Sequence, residues 1–203
     1  MGDAPARGHV RVALVDSGVD PAHPGLRGKT LRGEPDALRD RLGHGTWMAA
    51  AILALAPEAE LVAIAVLLDG DRCDPAELLR GIDAALATSP DFVNVSFGVT
   101  DLALRDAFAA GIARAQACGA RIVAPASLQG LPCWPGALSG ADGVVVDPNL
   151  ARALPQRRRR GDRELWFASG VAPSFGALPA PRARGESFAA ANVTGHLASR
   201  ARG

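Results

Sequence analysis

Short apolar runs alternate with longer amphipathic stretches along most of the chain. Six of the runs are rich in Val, Ile, Leu and Phe and have the length of β-strands. The predicted strands cover residues 10–15, 61–67, 92–97, 121–124, 143–146 and 164–168. The helical patterns fall between these runs, so the chain is predicted to alternate strands with helices.

Four stretches predict α-helices, at residues 44–56, 75–88, 102–118 and 187–200. The second carries a clear start signal, with Asp74 as N-cap, Pro75 at the first helical position and Glu77 in the first turn. The third contains an apolar stripe that includes Leu104 and Phe108, which is typical of a surface helix packed on a core.

This order of elements predicts an α/β fold, with a mainly parallel sheet covered by helices on both faces. The chain shows no internal repeat, and we expect a single domain over residues 1–203. Ligands of such sheets bind at the carboxyl ends of the strands. Asp16 and the segment Ser96-Phe97-Gly98 fall at two such ends.

Residues 147–162 break the alternation. The stretch contains Pro148, Pro155 and four consecutive arginines, Arg157 to Arg160. A charge run of this kind is usually a solvated surface loop, and we expect one here. The functional alternatives are a contact with an acidic peptide or a processing site.

Composition narrows the class of protein. The 203 residues are 48% hydrophobic, which suits one globular core, and the net charge is +1. This balance argues against a general nucleic-acid binder and against a membrane-surface protein, so neither partner is expected. The excess of arginine over Lys29, the only lysine, is explained more simply by codon usage than by phosphate binding.

The amino-terminal residues and the cysteines bear on location. Residues 1–9 are polar, and the first apolar run is too short for a signal or spanning segment. The three cysteines are an odd number and lack metal-ligand spacing. We therefore expect a reduced, intracellular protein of the cytoplasm, with no pro-domain ahead of Asp16.

Three separate segments carry the residue types of a nucleophilic hydrolase. Asp16 ends an apolar strand, His44 opens an Ala-rich helix in Gly-His-Gly-Thr, and Ser187 opens the last helix. Peptide hydrolysis needs a nucleophile, a base of near-neutral pKa and a group that orients the base. Ser187 suits the first role, because a helix N-terminus favours developing negative charge. His44 suits the second role and Asp16 the third.

Each residue also has an ordinary structural interpretation. Ser187 suits a helix N-cap, a single His such as His44 is usually structural, and Asp16 suits an Asx turn in Asp-Ser-Gly. The three segments together, in the order Asp, His, Ser, are much stronger evidence than any one of them.

In this order and with these flanking residues, the chain resembles the subtilisin-like serine proteases, from about residue 10 to residue 197. The resemblance implies a three-layer α/β/α fold and a triad of Asp16, His44 and Ser187. Val93-Asn94-Val95-Ser96-Phe97-Gly98 resembles the family's substrate-binding strand, and Leu67-Leu68-Asp69-Gly70-Asp71 resembles the opposite edge of the cleft. By this resemblance Ser96, Phe97, Gly98 and Gly70 contact a peptide that binds as an added strand.

The chain departs from the family where an asparagine normally donates to the oxyanion. The strand at 121–124 is followed by Ala126-Ser127-Leu128-Gln129-Gly130, and Leu128 falls closest to the asparagine position. Leucine has no donor, and losing one such donor costs about 10²–10³ in turnover. Ser127 and Gln129 are candidate substitutes.

Three further departures surround the predicted triad. Glu186 replaces the usual threonine beside the serine, Trp47 follows His-Gly-Thr, and Ala191 stands where the serine helix of the family has proline. The short segment 57–59 leaves no room for a calcium loop, so neither metal nor cofactor is expected. The chain ends just after the serine helix, and a partner chain or a second copy is a candidate cover for that side.

Two functions from different classes follow. The first is a serine endopeptidase of narrow specificity, acting inside the cell in the maturation of a peptide. The second is a catalytically weak or inactive pseudoprotease that binds peptides or serves as a scaffold. An unrelated α/β hydrolase is disfavoured, because the chain lacks a Gly-x-Ser-x-Gly elbow.

Overall fold

The computed structural model describes residues 8–66, 68–69, 72–175 and 184–201. Four α-helices lie in this part of the chain: α1 His44–Leu55, α2 Pro75–Ala87, α3 Arg105–Ala117 and α4 Glu186–Arg200. The strands are β1 Arg11–Asp16, β2 Leu31–Arg32, β3 Glu60–Ala65, β4 Leu68–Asp69, β5 Arg72–Cys73, β6 Phe92–Val95, β7 Arg121–Pro125, β8 Ser127–Leu128, β9 Leu131–Pro132, β10 Asp142–Val146, β11 Gln156–Arg160 and β12 Arg163–Ala168.

Eight strands form one sheet in the order β11-β12-β10-β7-β6-β1-β3-β2. All neighbouring pairs are parallel except β11 with β12. The pairs β4·β5 and β8·β9 form small separate hairpins. The predicted α/β architecture with a mainly parallel sheet is confirmed.

The sheet separates two apolar layers. Residues of α1 and α4 share one cluster that includes Met48, Ile52 and Val193, while residues of α2 and α3 share the other, which includes Leu78 and Phe108. Successive side chains of a strand point to opposite faces, and in β1 both faces are covered. Every residue of β1 after Arg11 is buried, which explains its continuous apolar sequence.

Strand β1 marks the point where the chain order reverses within the sheet. After β1 the chain passes through α1 to β3 and β2, which lie on one side of β1, and β6, β7 and β10 lie on the other side. In open α/β sheets such a switch point leaves a crevice at the carboxyl ends of the strands, and ligands bind there. The topology therefore places the site at the carboxyl ends of β1 and β6.

Two elements differ from those predicted. The helix expected at 102–118 is a 3-10 turn, Leu102–Leu104, followed by α3. The expected surface loop at 147–162 contains the edge strand β11, which includes all four arginines of the run. The run has no apolar position to signal a strand, because every side chain of β11 is exposed.

The remaining strands and helices lie within one or two residues of their predicted bounds, and the short strands β2, β4, β5, β8 and β9 were not predicted. In the part of the chain that the structure describes, no helix is long and apolar enough to cross a bilayer.

Candidate active site

Asp16 is the last residue of β1 and is almost completely buried, with 1% of its surface exposed. Its Oδ1 accepts a hydrogen bond from the backbone N–H of Ser17 at 2.8 Å. A buried carboxylate is costly unless hydrogen bonds stabilise it. The strand end therefore holds Asp16 in one orientation at the switch point.

His44 is the first residue of α1, and its Nδ1 lies 2.7 Å from Oδ1 of Asp16. The helix start is brought this close by two glycines. Gly43 adopts the left-handed region, with φ of 76°. At Gly45 a Cβ would lie 2.1 Å from the carbonyl oxygen of Gly18, so no larger residue fits between α1 and the end of β1.

A second carboxylate, Asp40, fixes the loop that leads into α1. Its Oδ1 accepts from the hydroxyl of Ser17 at 2.9 Å and from the N–H of Gly43 at 2.8 Å. Its Oδ2 accepts from the N–H and the hydroxyl of Thr46 at 2.8 and 2.6 Å. Asp40 thus caps the open N–H groups at the start of α1 and ties that helix to the residue after Asp16.

Sequence reasoning missed Asp40. The signal was present, since an Asp just before a predicted helix start is a typical capping residue. Its second partner, Ser17, lies 23 residues earlier in the chain and has no local sequence signal.

Opposing effects set the pKa values of the His44 ring and the Asp40 carboxyl. Burial of the His44 ring lowers its pKa, but the hydrogen bond to Asp16 and the negative charges of Asp16 and Asp40 outweigh burial, so the pKa is raised above the ordinary 6.5. Burial likewise raises the pKa of Asp40, but the hydrogen bonds from Thr46, Ser17 and Gly43 outweigh it, and the pKa is lowered.

We expect Asp40→Asn to destabilise the protein by about 1–3 kcal/mol, because an amide cannot accept from the same set of donors. The pKa of His44 should also fall, since one of the charges that raises it is lost. Urea unfolding and an NMR titration of the His44 ring measure the two effects. Asp36→Asn is the matched control, as the Asp36 side chain is 96% exposed. Equal stability and an unchanged His44 pKa in Asp40→Asn would contradict this role.

The lowered pKa of Asp40 also gives a direction for acid stability. A carboxyl whose pKa is lowered on folding stabilises the protein above its ordinary pKa of 3.8, and this contribution is lost as pH falls through the folded value. The difference in stability between the parent and Asp40→Asn should therefore shrink in strong acid.

Ser187 is the second residue of α4 and is half-buried. Its hydroxyl donates to the main-chain carbonyl of Ser96 at 2.8 Å. Within the described residues no hydrogen bond joins Ser187 to His44. The structure thus brings Asp16 and His44 into direct contact and places Ser187 against the carboxyl end of β6.

The start of α4 is held by the segment after β12. The N–H of Gly185 donates to the carbonyl of Gly170 at 3.0 Å. Further along α4, the side-chain amide of Asn192 donates to the carbonyls of Ser169 and Val171 at 2.9 and 3.1 Å. These contacts fix the serine helix from its first turn to its middle.

A buried polar chain links α4 to β6. The hydroxyl of Thr194 donates to Oδ1 of Asn94 at 2.7 Å, and the amide of Asn94 donates to the hydroxyl of Ser96 at 2.8 Å. All three residues are buried, so each hydrogen bond is expensive to lose. These hydrogen bonds fix the position of Ser187 relative to Ser96. Sequence reasoning assigned no role to Thr194.

Of the predicted cleft residues, Ser96 is buried, while Phe97 and Gly98 are half-buried. The ring centroids of Phe97 and His44 lie 6.2 Å apart. A Cβ on Gly98 would lie 2.7 Å from Sγ of Cys133, so the backbone of this segment packs closely on that side chain. Gly70, predicted for the opposite edge, lies outside the described residues.

Cys133 supports the cleft and is not a nucleophile. It is fully buried and donates to the carbonyl of Pro125 at 3.1 Å. Burial and the nearby charge of Glu186 raise the pKa of its thiol to about 12. The next residue, Trp134, pairs with Val99 through backbone hydrogen bonds of 2.8 and 3.0 Å.

The three oxyanion candidates lie in the tight β8·β9 hairpin. Ser127 and Leu128 form β8, and Gln129 follows in the left-handed region with φ of 51°. Leu128 is 39% exposed, and Gln129 is also exposed. None of the three side chains makes a hydrogen bond to another residue of the described ranges.

No group of three or more His, Cys, Asp or Glu side chains gathers as metal ligands in the part of the chain that the structure describes. The contact between Asp16 and His44 can support acid–base chemistry. A histidine held by a buried carboxylate, with a helix-start serine at the neighbouring strand end, is typical of subtilisin-like α/β proteins when the chain order is Asp, His, Ser and the sheet is mainly parallel.

The family match agrees with this class. The model described as the Subtilase family matches residues 7–127, which is more than half of the 203 residues. The chain therefore belongs to the Subtilase family. Asp16 and His44 lie inside the matched residues, and Ser187 lies outside them.

Curated relatives match the chain over different lengths. Subtilisin E of Bacillus subtilis (strain 168) is 34% identical over 103 residues, which are 44% of this chain and 27% of that protein. A subtilisin-like protease of Coccidioides posadasii (strain C735) is 32% identical over 95% of this chain and 52% of its own length. The chain thus spans about a quarter to about half of the length of these two relatives.

Solved structures share the fold over nearly the whole chain. The structure of the prenylagaramide maturation protease PagA superposes with a TM-score of 0.72 and 21% identity, covering 94% of this chain and 74% of that one. A lanthipeptide protease gives a TM-score of 0.68 and 21% identity, with coverages of 95% and 73%. The subtilisin-like fold expected from the sequence is confirmed.

Proposed function

We propose that this chain is a serine endopeptidase whose triad is Asp16, His44 and Ser187. One observation carries the proposal, the 2.7 Å hydrogen bond between His44 Nδ1 and Asp16 Oδ1. This bond holds the proton on Nδ1 and leaves Nε2 as the basic nitrogen. A histidine prepared in this way suits a general base next to a serine hydroxyl.

In the proposed reaction, Ser187 Oγ attacks the peptide carbonyl while His44 Nε2 takes its proton. His44 then gives that proton to the leaving amine, and the resulting acyl-enzyme is hydrolysed by water activated in the same way. Asp16 keeps the ring oriented and stabilises the imidazolium. The backbone N–H of Ser187, at the start of α4, is a donor for the oxyanion.

Ser187 must leave its hydrogen bond to Ser96 before it reacts. A substrate that adds as a strand along Ser96, Phe97 and Gly98 would present backbone N–H groups to this segment. Such an N–H can replace Ser187 at the Ser96 carbonyl and free the hydroxyl for His44. Substrate binding would then prepare the nucleophile.

We further propose a narrow specificity and a role in peptide maturation in the cytoplasm. Support comes from the structural neighbours, among which are a prenylagaramide maturation protease and a lanthipeptide protease. The test is digestion of a proteome-derived peptide library, with cleavage sites read by mass spectrometry and His44→Ala as control. A few related sites are expected with the parent and none with the variant. Broad cleavage would contradict narrow specificity, and equal cleavage by both proteins would contradict the triad.

The pH dependence tests His44 as the base. Its pKa is raised above 6.5 by Asp16 and Asp40 against the effect of burial, and imidazolium cannot accept the serine proton. The value of kcat/KM should therefore fall as pH decreases, with its half-maximal point above pH 6.5. The measurement uses a fluorogenic peptide derived from the library sites. A profile that is flat from about pH 5 to 8 would contradict the assignment.

A second candidate function is a peptide-binding pseudoprotease. The observation that favours it is the hairpin at 127–132, where Leu128 offers no side-chain donor and is 39% exposed. A site that binds a peptide without stabilising the oxyanion would turn over slowly or not at all.

Leu128→Asn tests whether the oxyanion hole lacks a side-chain donor. In a subtilisin, a member of the family to which this chain belongs, the oxyanion asparagine contributes about 10²–10³ in turnover. If the new amide reaches the oxyanion, kcat and kcat/KM should rise together, by up to about 10²-fold, because the donor acts on the transition state. Leu128→Gln, with a longer side chain of the same chemistry, is the matched control. A neutral or harmful Leu128→Asn, combined with a loss in Ser127→Ala or Gln129→Ala, would show that another donor already fills the hole.

A further inference from the structure

Strand β11 is an open edge of the eight-stranded sheet, and it consists of Gln156 followed by Arg157 to Arg160. It pairs on one side with β12, and its side chains are all exposed. An edge strand presents unpaired N–H and C=O groups at its outer side, which is a template for another strand. Among the described residues no other strand covers this edge.

The first two arginines are held in place by the sheet. The guanidinium of Arg157 lies 5.5 Å from the centre of the Trp166 ring, and that of Arg158 lies 5.0 Å from the Phe167 ring. Each also has a carboxylate partner, Glu164 at 3.5 Å for Arg157 and Asp147 at 2.7 Å for Arg158. Their charges are therefore partly balanced by the protein itself.

The last two arginines are different. Arg159 donates to the main-chain carbonyl of Gly161 at 3.2 Å, and neither Arg159 nor Arg160 has a carboxylate partner in the described ranges. Because successive side chains of a strand alternate, Arg159 and Arg160 lie on opposite faces of the sheet.

Arg159 is directly opposite Glu164, the ion-pair partner of Arg157. Arg160 is directly opposite Arg163. One face of the edge therefore carries two arginines for one glutamate, and on the other face Arg160 lies beside a further arginine. Both faces of the open edge thus keep an excess of positive charge, in a chain whose net charge is only +1.

We propose that β11 binds an acidic, extended peptide segment as an added strand. Backbone hydrogen bonds would supply the pairing, and carboxylates at neighbouring positions would lie within about 5 Å of the arginine side chains. A polynucleotide is less suited to this edge, because it has no backbone that matches the alternating N–H and C=O groups. Only the assignment of the acidic segment to the substrate rests on the proposed protease function.

The topology also gives the distance to the reaction centre. A strand added outside β11 would be five strands from β6, or about 24 Å across the sheet at the usual strand spacing. The strand registers place Trp166 level with Ser96. Strand β11 is antiparallel to β12, so Arg160 lies beside Arg163 at the end of the sheet remote from Ser96, three residues or about 10 Å further along. An extended peptide that joins the two points needs at least about seven residues. The acidic segment should therefore lie that far from the cleaved bond.

Binding is tested in Ser187→Ala, so that no activity is required. The probe is a fluorescein-labelled peptide with consecutive glutamates flanked by Thr and Val. Arg159→Glu/Arg160→Glu should weaken its binding about tenfold or more, because repulsion replaces attraction at two sites. Arg27→Glu/Arg105→Glu, which makes the same change of charge at exposed positions outside the sheet, should leave binding unchanged. Equal binding by parent and Arg159→Glu/Arg160→Glu would overturn the proposal.

Two N-methylated peptides test the backbone pairing. One is methylated at the odd-numbered positions and the other at the even-numbered positions. At least one of them should lose binding, because one phase carries the N–H groups that face β11. If both bind like the unmethylated peptide, the peptide does not pair with β11 as an added strand. Tighter binding of a single-stranded oligonucleotide or of phosphatidylserine vesicles, lost in the same arginine variant, would also overturn the proposal.

Cleavage adds a separate readout. Placing the glutamates at least about seven residues from the cleaved bond should lower KM with little change in kcat, and moving them closer should abolish the gain. A gain that does not depend on distance would contradict the assignment to the substrate. Correct binding without any cleavage would instead count against the proposed protease function and leave the docking edge in place.

Discussion

Ser187→Ala should lower kcat by about 10⁶-fold, the loss known for removal of the serine from a subtilisin, a member of the same family. Alanine has no hydroxyl to attack the peptide carbonyl, so the acyl-enzyme cannot form. Folding should be nearly unaffected, because the hydroxyl makes a single hydrogen bond, to the Ser96 carbonyl, worth about 1 kcal/mol. Cleavage of a library-derived peptide and urea unfolding measure the two quantities.

Ser199→Ala is the matched control for this variant, since Ser199 lies on the same helix and its hydroxyl also donates to a main-chain carbonyl, that of His196. It should retain full activity. Retained cleavage in Ser187→Ala would show that the nucleophile lies elsewhere.

Asp16→Asn should lower kcat by about 10⁴-fold while leaving the fold intact. The amide would favour the wrong tautomer of His44 and could not stabilise the imidazolium. The pKa of His44 should fall as well, because the hydrogen bond and the charge of Asp16 both raise it. An NMR titration of the ring reads this shift independently of any substrate.

Asp36→Asn serves again as the control, because Asp36 is exposed and its nearest cation, Arg39, lies 3.8 Å away. A small loss of turnover in Asp16→Asn, or an unchanged His44 pKa, would show that the His44–Asp16 contact does not govern the chemistry.

The sequence alone was sufficient to predict six of the eight strands of the sheet and the approach of Asp16 to His44. Strands buried on both faces must be apolar throughout, so β1 and β6 stand out, and the residues that follow them lie at one edge. The chain order of Asp16, His44 and Ser187 then selected one family. Each apolar run and each motif is local and can be read within a short window, and the order of the motifs is read along the whole chain.

The supporting polar contacts could not be predicted in the same way. Thr194 and Asn94 are 100 residues apart, and their hydrogen bond depends on how α4 packs on β6. Asp40 joins Ser17 to the start of α1 across 23 residues. Isolated polar residues carry no period, so their partners appear only when the elements are assembled.

Strand β11 could not be predicted from the sequence for a different reason. Sequence patterns find strands through their apolar face, and this one has none. Two of its side chains, Arg157 and Arg158, lie instead over the rings of Trp166 and Phe167 on the neighbouring strand. The arginine run therefore predicts a loop, although the backbone pairs with β12 over five residues.

The central claim is that Asp16, His44 and Ser187 act as one catalytic unit, and covalent labelling tests it without a known substrate. The purified protein is treated with a fluorophosphonate probe, and the modified residue is identified by mass spectrometry in the parent, His44→Ala and Asp16→Asn. We expect an adduct on Ser187 in the parent, its near absence in His44→Ala and slower labelling in Asp16→Asn. No adduct on Ser187, or labelling that proceeds equally without His44, would contradict the account.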